Sequence, residues 1–329
     1  MRIVRTYHEM PPQLTGGVIA LGNFDGLHLG HQSVIRATVD AARAAGVPAG
    51  VMTFEPHPRQ IFRPEDPPFR LSPFRIKARL IQAMGVDFVY MQAFDREFSQ
   101  RSAENFVTEI LVGGLKVSRV VVGADYVFGH QRKGDLALLQ RLADAHGFAL
   151  TAISEQRGAG GPRYSSSNIR TALLEGRPGD AAQLLGRYWE LEGRVEHGDR
   201  RGRTIGFPTA NLPHRDYIRP MKGVYAVRAG IDQGAQTVWH DAVANFGNRP
   251  TFNKKGLLLE VHLFDVNQDL YGRHLRVALV DFLRPEMKFA GLDALKAQIG
   301  ADAEMARARL AARSFHPGPA PYVSVVPAA

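Results

Sequence analysis

The sequence predicts an α/β unit built on a parallel sheet over residues 1–185, followed by an antiparallel β-barrel with a terminal helix over residues 186–329. Three observations carry this. The chain is 329 residues long, about two domains' worth. Its first half alternates short β-branched runs with stretches of helical spacing, which implies crossover units. Its second half strings strand-like runs together with turn residues and almost no helix between them.

Taken in order, Val18–Leu21, Gly50–Phe54, Phe88–Met91, Val117–Val122 and Ala149–Ile153 read as strands. Between them Ser33–Ala45, Pro73–Met84, Ala103–Leu111 and Asp135–Ala145 have helical spacing. A sheet of this kind holds ligands at the carboxyl ends of its strands. The character changes around Leu184–Trp189. Trp189–Val195, Val224–Arg228, Thr237–Asn245, Leu257–Phe264 and Leu275–Phe282 then read as strands, and Leu292–Ala312 as the one substantial helix. Pro317–Ala329, rich in Pro and Ala, is expected to be a loose extension.

Composition narrows the function. Hydrophobic residues make up 45%, as in an ordinary globular protein, and no apolar run approaches the ~20 residues a bilayer needs. The N-terminus lacks a signal-peptide hydrophobic region. The absence of cysteine excludes disulfides and thiolate metal sites and fits a reducing compartment, so cytoplasm is expected. The net charge of +9 is spread evenly, with 21 basic and 17 acidic residues through Leu185 and 20 and 15 after it. Clustering marks a nucleic-acid footprint, and here there is none; small polyanionic substrates explain the bias equally well.

The first concentrated signal is Leu21-Gly22-Asn23-Phe24-Asp25-Gly26-Leu27-His28-Leu29-Gly30-His31. A strand running through a glycine-rich turn into a helix start makes an anion site, because the first helical N–H groups are unpaired. His28 and His31 add donors that strengthen as charge develops on a phosphate, each worth roughly 3–4 kcal/mol where water is excluded. Asn23 and Asp25 would shape the turn, and Gly22, Gly26 and Gly30 allow close backbone approach. A capped turn with surface histidines, or two ligands of a metal site, are the competing readings.

The second signal is Gly198-Asp199-Arg200-Arg201-Gly202-Arg203-Thr204-Ile205-Gly206-Phe207-Pro208-Thr209-Ala210-Asn211-Leu212. A loop of N–H donors can wrap phosphates, and the oxygen ligands of Thr209 and Asn211 suit Mg²⁺ shared with those phosphates. A solvated basic turn stands as the alternative, since no GxxxxGK[ST] occurs. In Leu257–Phe264 the pleat puts Leu257, Leu259, Val261 and Leu263 on one face and Glu260 and His262 on the other.

GNFDGLHLGH resembles the HxGH nucleotidyltransferase signature in the form found in bifunctional bacterial riboflavin kinase/FMN adenylyltransferases, also called FAD synthetases. Phe54-Glu55-Pro56-His57-Pro58, Val122-Gly123-Ala124-Asp125-Tyr126-Val127-Phe128-Gly129 and Ser165-Ser166-Ser167-Asn168-Ile169-Arg170 follow in that family's order. GFPTANL is similar to the riboflavin kinase PTAN signature. It is followed by Lys222–Val227, Asn245–Phe252, Leu259–Phe264, Leu270-Tyr271-Gly272 and Phe282–Phe289.

The resemblance implies a Rossmann-like adenylyltransferase half that makes FAD from FMN and ATP, and a barrel half that phosphorylates riboflavin to FMN. Gly22, Asn23, Phe24, Asp25, Gly26, His28, His31, Asp125, Ser166, Ser167 and Arg170 would meet ATP in the first half, with His28 and His31 catalytic. Phe54, Pro56, His57 and Pro58 would approach the flavin. In the second half Gly198, Gly202, Arg203, Gly206, Phe207, Pro208, Thr209 and Asn211 would bind ATP, Thr209 and Asn211 would hold Mg²⁺, and Glu260 would be the general base. Ser167 stands where a threonine is usual, Val127 where a polar or basic residue often occurs, and Phe246 where an aliphatic one is common. The implied partners are riboflavin, FMN and ATP, with no nucleic acid and no membrane, in a monomer or weak self-associator. A single-activity enzyme with one inactive domain is the nearest rival. A flavin sensor that binds nucleic acid is disfavoured by the even charge.

Overall fold

The computed structural model describes residues 1–158, 161–197, 202, 205–214, 216–233, 236–248 and 257–318. These form two compact units, one comprising Met1–Asp66 and Phe74–Ser165, the other Pro67–Pro73 and Ser166–Pro317. From 319 onward the expected loose tail lies outside the described residues.

The first unit contains β1 (Arg2–Val4), β2 (Val18–Leu21), α1 (Leu29–Ala45), β3 (Ala49–Glu55), α2 (Pro58–Phe62), α3 (Phe74–Ala83), β4 (Phe88–Ala93), α4 (Arg96–Ser99) and α5 (Ala103–Asn105). After a π-helical stretch, Phe106–Gly114, come β5 (Arg119–Gly123), α6 (Leu136–His146) and β6 (Ala149–Ile153). Among the described residues the sheet has six strands in the order β1-β4-β3-β2-β5-β6, all parallel. The expected parallel sheet is therefore present, and β2, fully buried, lies at its centre. From β2 the chain crosses to β3 on one side and only later returns to β5 on the other. The crevice between the ends of β2 and β5 is thus the topological switch point, where open α/β sheets bind ligands.

The second unit begins with α7 (Ser166–Leu174) and α8 (Pro178–Leu185), then β7 (Glu190–Arg194), β8 (Ala210–Pro213), β9 (Gly223–Gln233), β10 (Gln236–Asn248), β11 (Leu257–Leu263), β12 (His274–Arg284) and α9 (Leu292–Ala311). The six described strands are antiparallel in the order β7-β12-β9-β10-β11-β8. An isolated bridge between Glu196 and Asn211 ties the continuation of β7 to β8 and draws the sheet round into a barrel. Inside pack Trp189, Leu212, Tyr225, Phe246, Leu259, Val261 and Leu279, each nearly inaccessible. Phe246 sets its ring against that of His214 at 4.8 Å, so the aromatic residue at this position fills the interior. Helix α9 covers the opposite face of the sheet, burying Ala306 and Leu310 against Val224, Ala226, Val243 and Val280.

Several elements differ from the expectations. Helix α1 starts four residues earlier than its periodic stretch, because His28 caps it. Strands β1 and β8 and helix α8 are not among the expected elements. Strand β1 has three residues and exists by pairing with β4. Strand β8 ends in a proline, which a strand tolerates at its first or last residues or on an edge.

Candidate functional sites

In the first unit the chain leaves β2 through Gly22 and enters a turn in which Phe24, Gly26 and Leu27 all have positive φ (50, 82 and 46°). The Thr53 hydroxyl donates to the Asn23 carbonyl at 3.1 Å and fixes the start of the turn against β3. Asp25 is buried at 2% exposure. His28 occupies the N-cap of α1, where its Nδ1 accepts the His31 N–H at 3.2 Å. Since Nδ1 accepts, the proton of the neutral ring sits on Nε2, which is a donor. The two imidazoles stack with centroids 3.6 Å apart, and the edge of Phe24 meets His31 at 5.3 Å. Gly30 permits this arrangement: a Cβ there would lie 3.2 Å from the His28 ring.

Beside the turn, a cavity of about 600 Å³ opens between Gly22 and Asn23, Phe54 and Pro58, and the rings of Phe62, Phe94, Phe98, Phe106, Tyr126 and Phe128. Arg101, His130 and Arg132 also line it. Burial raises the Tyr126 phenol above its ordinary pKa, so it stays a neutral hydroxyl. An apolar, ring-lined cleft with few polar groups at a switch point suits a flat aromatic ligand. Of the anticipated Phe54, Pro56, His57 and Pro58, the first and last line the cavity. His57 instead caps α2, accepting the Arg59 N–H at Nδ1 while Gln60 closes a capping box. Glu55 pairs with the fully buried Lys77 at 3.0 Å. Asp125, at the end of β5, is exposed and paired with Arg163.

In the second unit Ser166 and Ser167 open α7, and Arg170 donates to the Phe69 carbonyl at 2.8 Å while lying over the Phe69 ring. On the barrel, register brings three polar residues into one transverse row. Glu260 of β11 lies directly opposite Asn211 of β8 on one side and Asn245 of β10 on the other. Asn211 is 7% exposed, and its Oδ1 is buried without a hydrogen-bond partner among the described residues. A buried acceptor of that kind fits a cation or a donor supplied by a ligand. Glu286, from the segment after β12, packs its carboxylate on Gly247 beside Asn245.

Gly206 turns with φ of 88°, and the Phe207 N–H donates to the Gly202 carbonyl at 2.8 Å. Phe207, Pro208 and Thr209 then lead into β8. Gly198 and Arg203 lie outside the described residues. Among the described residues no three His, Cys, Asp or Glu side chains converge as a metal site, and no helix is long and apolar enough to cross a membrane.

Comparison with known proteins decides between the readings. Residues 10–168 match the FAD synthetase family and residues 185–310 the riboflavin kinase family. The bifunctional riboflavin kinase/FMN adenylyltransferase of Escherichia coli K12 is 43% identical over 309 residues, covering 93% of this chain and 97% of that protein. The chain belongs to the bifunctional riboflavin kinase/FMN adenylyltransferase family.

The Pseudomonas fluorescens member is 42% identical over 317 residues, 96% of this chain and 100% of its own length. The crystal structure of a Streptococcus pneumoniae protein named as a macrolide-efflux protein superposes with a TM-score of 0.81 at 32% identity, covering 93% of this chain and 98% of that one. The two activities of the family, ATP-dependent phosphorylation of riboflavin and adenylylation of FMN to FAD, are those of this chain. Of the rings in the aromatic cage only Phe54 was anticipated from the sequence, because the others come from separate segments of the chain. Asn245 was not singled out although its motif was noticed; register alone brings it beside Glu260, while Glu286 lies beside Asn245 at Gly247.

Proposed function

We propose the following division of labour among the residues, with the adenylyltransferase half spanning 1–185 and the kinase half 186–329. FMN lies in the aromatic cage of the first unit, its ring between the Phe54 and Phe128 walls. The α-phosphate of ATP is held at the turn Gly22–Gly26 and the start of α1, with the Nε2–H of His28 and the His31 ring as donors. Asp125, Ser166, Ser167 and Arg170 complete the nucleotide contacts, and Pro56 and His57 shape the flavin side. An FMN phosphate oxygen attacks the α-phosphorus, the bond to the bridging oxygen breaks, and pyrophosphate leaves. Little covalent chemistry falls to the protein; it positions the groups and stabilises charge.

On the barrel, Glu260 accepts the proton of the terminal ribityl hydroxyl as that oxygen bonds to the γ-phosphorus and ADP departs. Such a base contributes about 10²–10⁴-fold. The observation that carries this half is Glu260 placed opposite Asn211, whose buried Oδ1 is left for a ligand. Thr209 and Asn211 offer the oxygen donors that Mg²⁺ prefers, and the ion, when bound, supplies charge neutralisation across the phosphates. Gly198, Gly202, Arg203, Gly206, Phe207 and Pro208 form the loop around the ATP. The cysteine-free, evenly charged chain suits the cytoplasm and small anionic substrates, acting as a monomer or weak self-associator.

The test is to supply riboflavin, ATP and Mg²⁺ and separate the products by chromatography. Glu260→Gln should stop FMN formation yet convert supplied FMN to FAD. His28→Ala with His31→Ala should let FMN accumulate while FAD disappears. A folded variant of either kind that lost both steps would overturn the division.

A further inference from the structure

His262 has no part in the chemistry above, yet it shares the face of β11 with Glu260, two residues away. Its Nδ1 lies 2.8 Å from the Pro208 carbonyl oxygen, fifty-four positions earlier in the chain. A carbonyl only accepts, so Nδ1 carries the proton. The ring is held on two sides, with Phe207 edge-on at 5.5 Å and the buried Phe264 at 5.8 Å.

Pro208 immediately precedes Thr209, and β8 then pairs with β11 over only four positions, Ala210 with Val261 through Pro213 with Leu258. Leu212, fully buried inside the barrel, already turns Asn211 to the face of Glu260, but Pro208 and Thr209 lie beyond the N-terminal end of this ladder. The proline itself offers no N–H with which to hold the segment. We propose that His262 is a positioning residue for phosphoryl transfer to riboflavin: its Nδ1–H clasps the Pro208 carbonyl, holds the segment that enters β8 against β11, and thereby sets Thr209 beside Asn211 and Glu260. This rests on the reading in which Glu260, Thr209 and Asn211 serve the kinase step.

The two ring nitrogens give a sharp test. An asparagine places its amide nitrogen as many bonds from Cβ as Nδ1, whereas a glutamine places it where Nε2 was. His262→Asn should keep the clasp; His262→Gln and His262→Leu should lose it. Losing one backbone-directed hydrogen bond is expected to raise the KM for ATP in riboflavin phosphorylation about five- to ten-fold, with His262→Asn within about two-fold of wild type. FMN adenylylation by the same full-length variants should be unchanged.

Amide exchange over residues 207–212 should quicken in the Gln and Leu variants and not in the Asn variant. Equal kinetics in all three variants, or an Asn variant as impaired as the Leu one, would overturn the proposal. So would faster exchange with no change in KM. Glu260→Gln is measured alongside. If it still phosphorylated riboflavin, the reading of the site would fail, while the exchange pattern would still decide whether the clasp exists.

Discussion

Replacing His28 by asparagine and by alanine separates two jobs that one imidazole does at the start of α1. Nδ1 caps the helix by accepting the His31 N–H at 3.2 Å, in a position only 7% exposed. Losing a side-chain cap costs about 1 kcal/mol, within a range of roughly 0.5–2. In a unit of this size that lowers the melting temperature by about 2–4 °C. Asparagine is among the best N-cap residues, so His28→Asn should keep this contribution and His28→Ala should lose it. Both variants lose the stacking on His31, so that cost cancels when they are compared. Both also lose the Nε2 donor, and a preorganised donor to developing charge is worth roughly 3–4 kcal/mol, or about 10²–10³ in kcat. Conversion of supplied FMN to FAD should therefore fall by that factor in both, while thermal melts separate them. Riboflavin phosphorylation serves as the internal control. Adenylylation by His28→Asn within ten-fold of wild type would refute the Nε2–H assignment, and equal melting of the two variants would refute the cap.

Three further outcomes follow from the packing of single side chains. His214 sits inside the barrel, where desolvation lowers its pKa to about 4, and its Nε2 meets the Ile218 carbonyl at 2.7 Å. The unfolded chain takes up this proton near pH 6.5 and the folded one only near 4, so stability is full above 6.5 and falls as pH drops across that window, by up to about 3 kcal/mol. Denaturant melts of His214→Gln, which keeps a donor at the Nε2 position, should be flatter over the same pH range. Arg276 and Glu190 form a buried pair at 3.0 Å, with the guanidinium over the Trp239 ring. Arg276→Met should destabilise the barrel by about 3–5 kcal/mol in denaturant titrations, because it removes one partner of a buried ion pair. Phe62 lines the aromatic cage while 62% exposed. Phe62→Ala should raise the KM for FMN in adenylylation about ten-fold with the melting temperature unchanged; an unchanged KM would place the flavin elsewhere.

The two signature motifs were legible because each concentrates its chemistry in a few consecutive residues. So were β2 and β6, whose bounds Val18–Leu21 and Ala149–Ile153 coincide with their apolar runs. What stayed hidden depended on distance along the chain or on unusual partners. The cage draws Phe54 from a strand, Phe62 from a short helix and Tyr126 and Phe128 from the loop after β5, and no periodicity links them. His28 and His57 both cap helices through Nδ1, a role that Ser, Thr, Asp and Asn usually advertise, so the start of α1 lacked its ordinary signal and that of α2 showed it only in Pro58 and Gln60. On β11 the alternation did show that Glu260 and His262 share a face. Their neighbours Asn211 and Asn245 required the register of β8 and β10, which a single chain's pattern leaves open.

The turn after β2 also shows why a non-glycine residue can hold a conformation that glycine would adopt without strain. Leu27 and Phe24 sit at φ of 46 and 50°, a region that costs an L-residue roughly 1–2 kcal/mol. Yet both side chains are driven into the core, at 0% and 1% exposure. Burying a leucine or phenylalanine contributes about 1.5–3 kcal/mol, enough to offset the strain at each position. The turn is thus held by apolar anchors on its inner side. Gly26 sits between the two anchors, at φ of 82°, where the chain bends with no side chain to bury. Phe24 and Leu27 thus shape the turn that leads to His28 and His31, and their places in this motif follow from core packing.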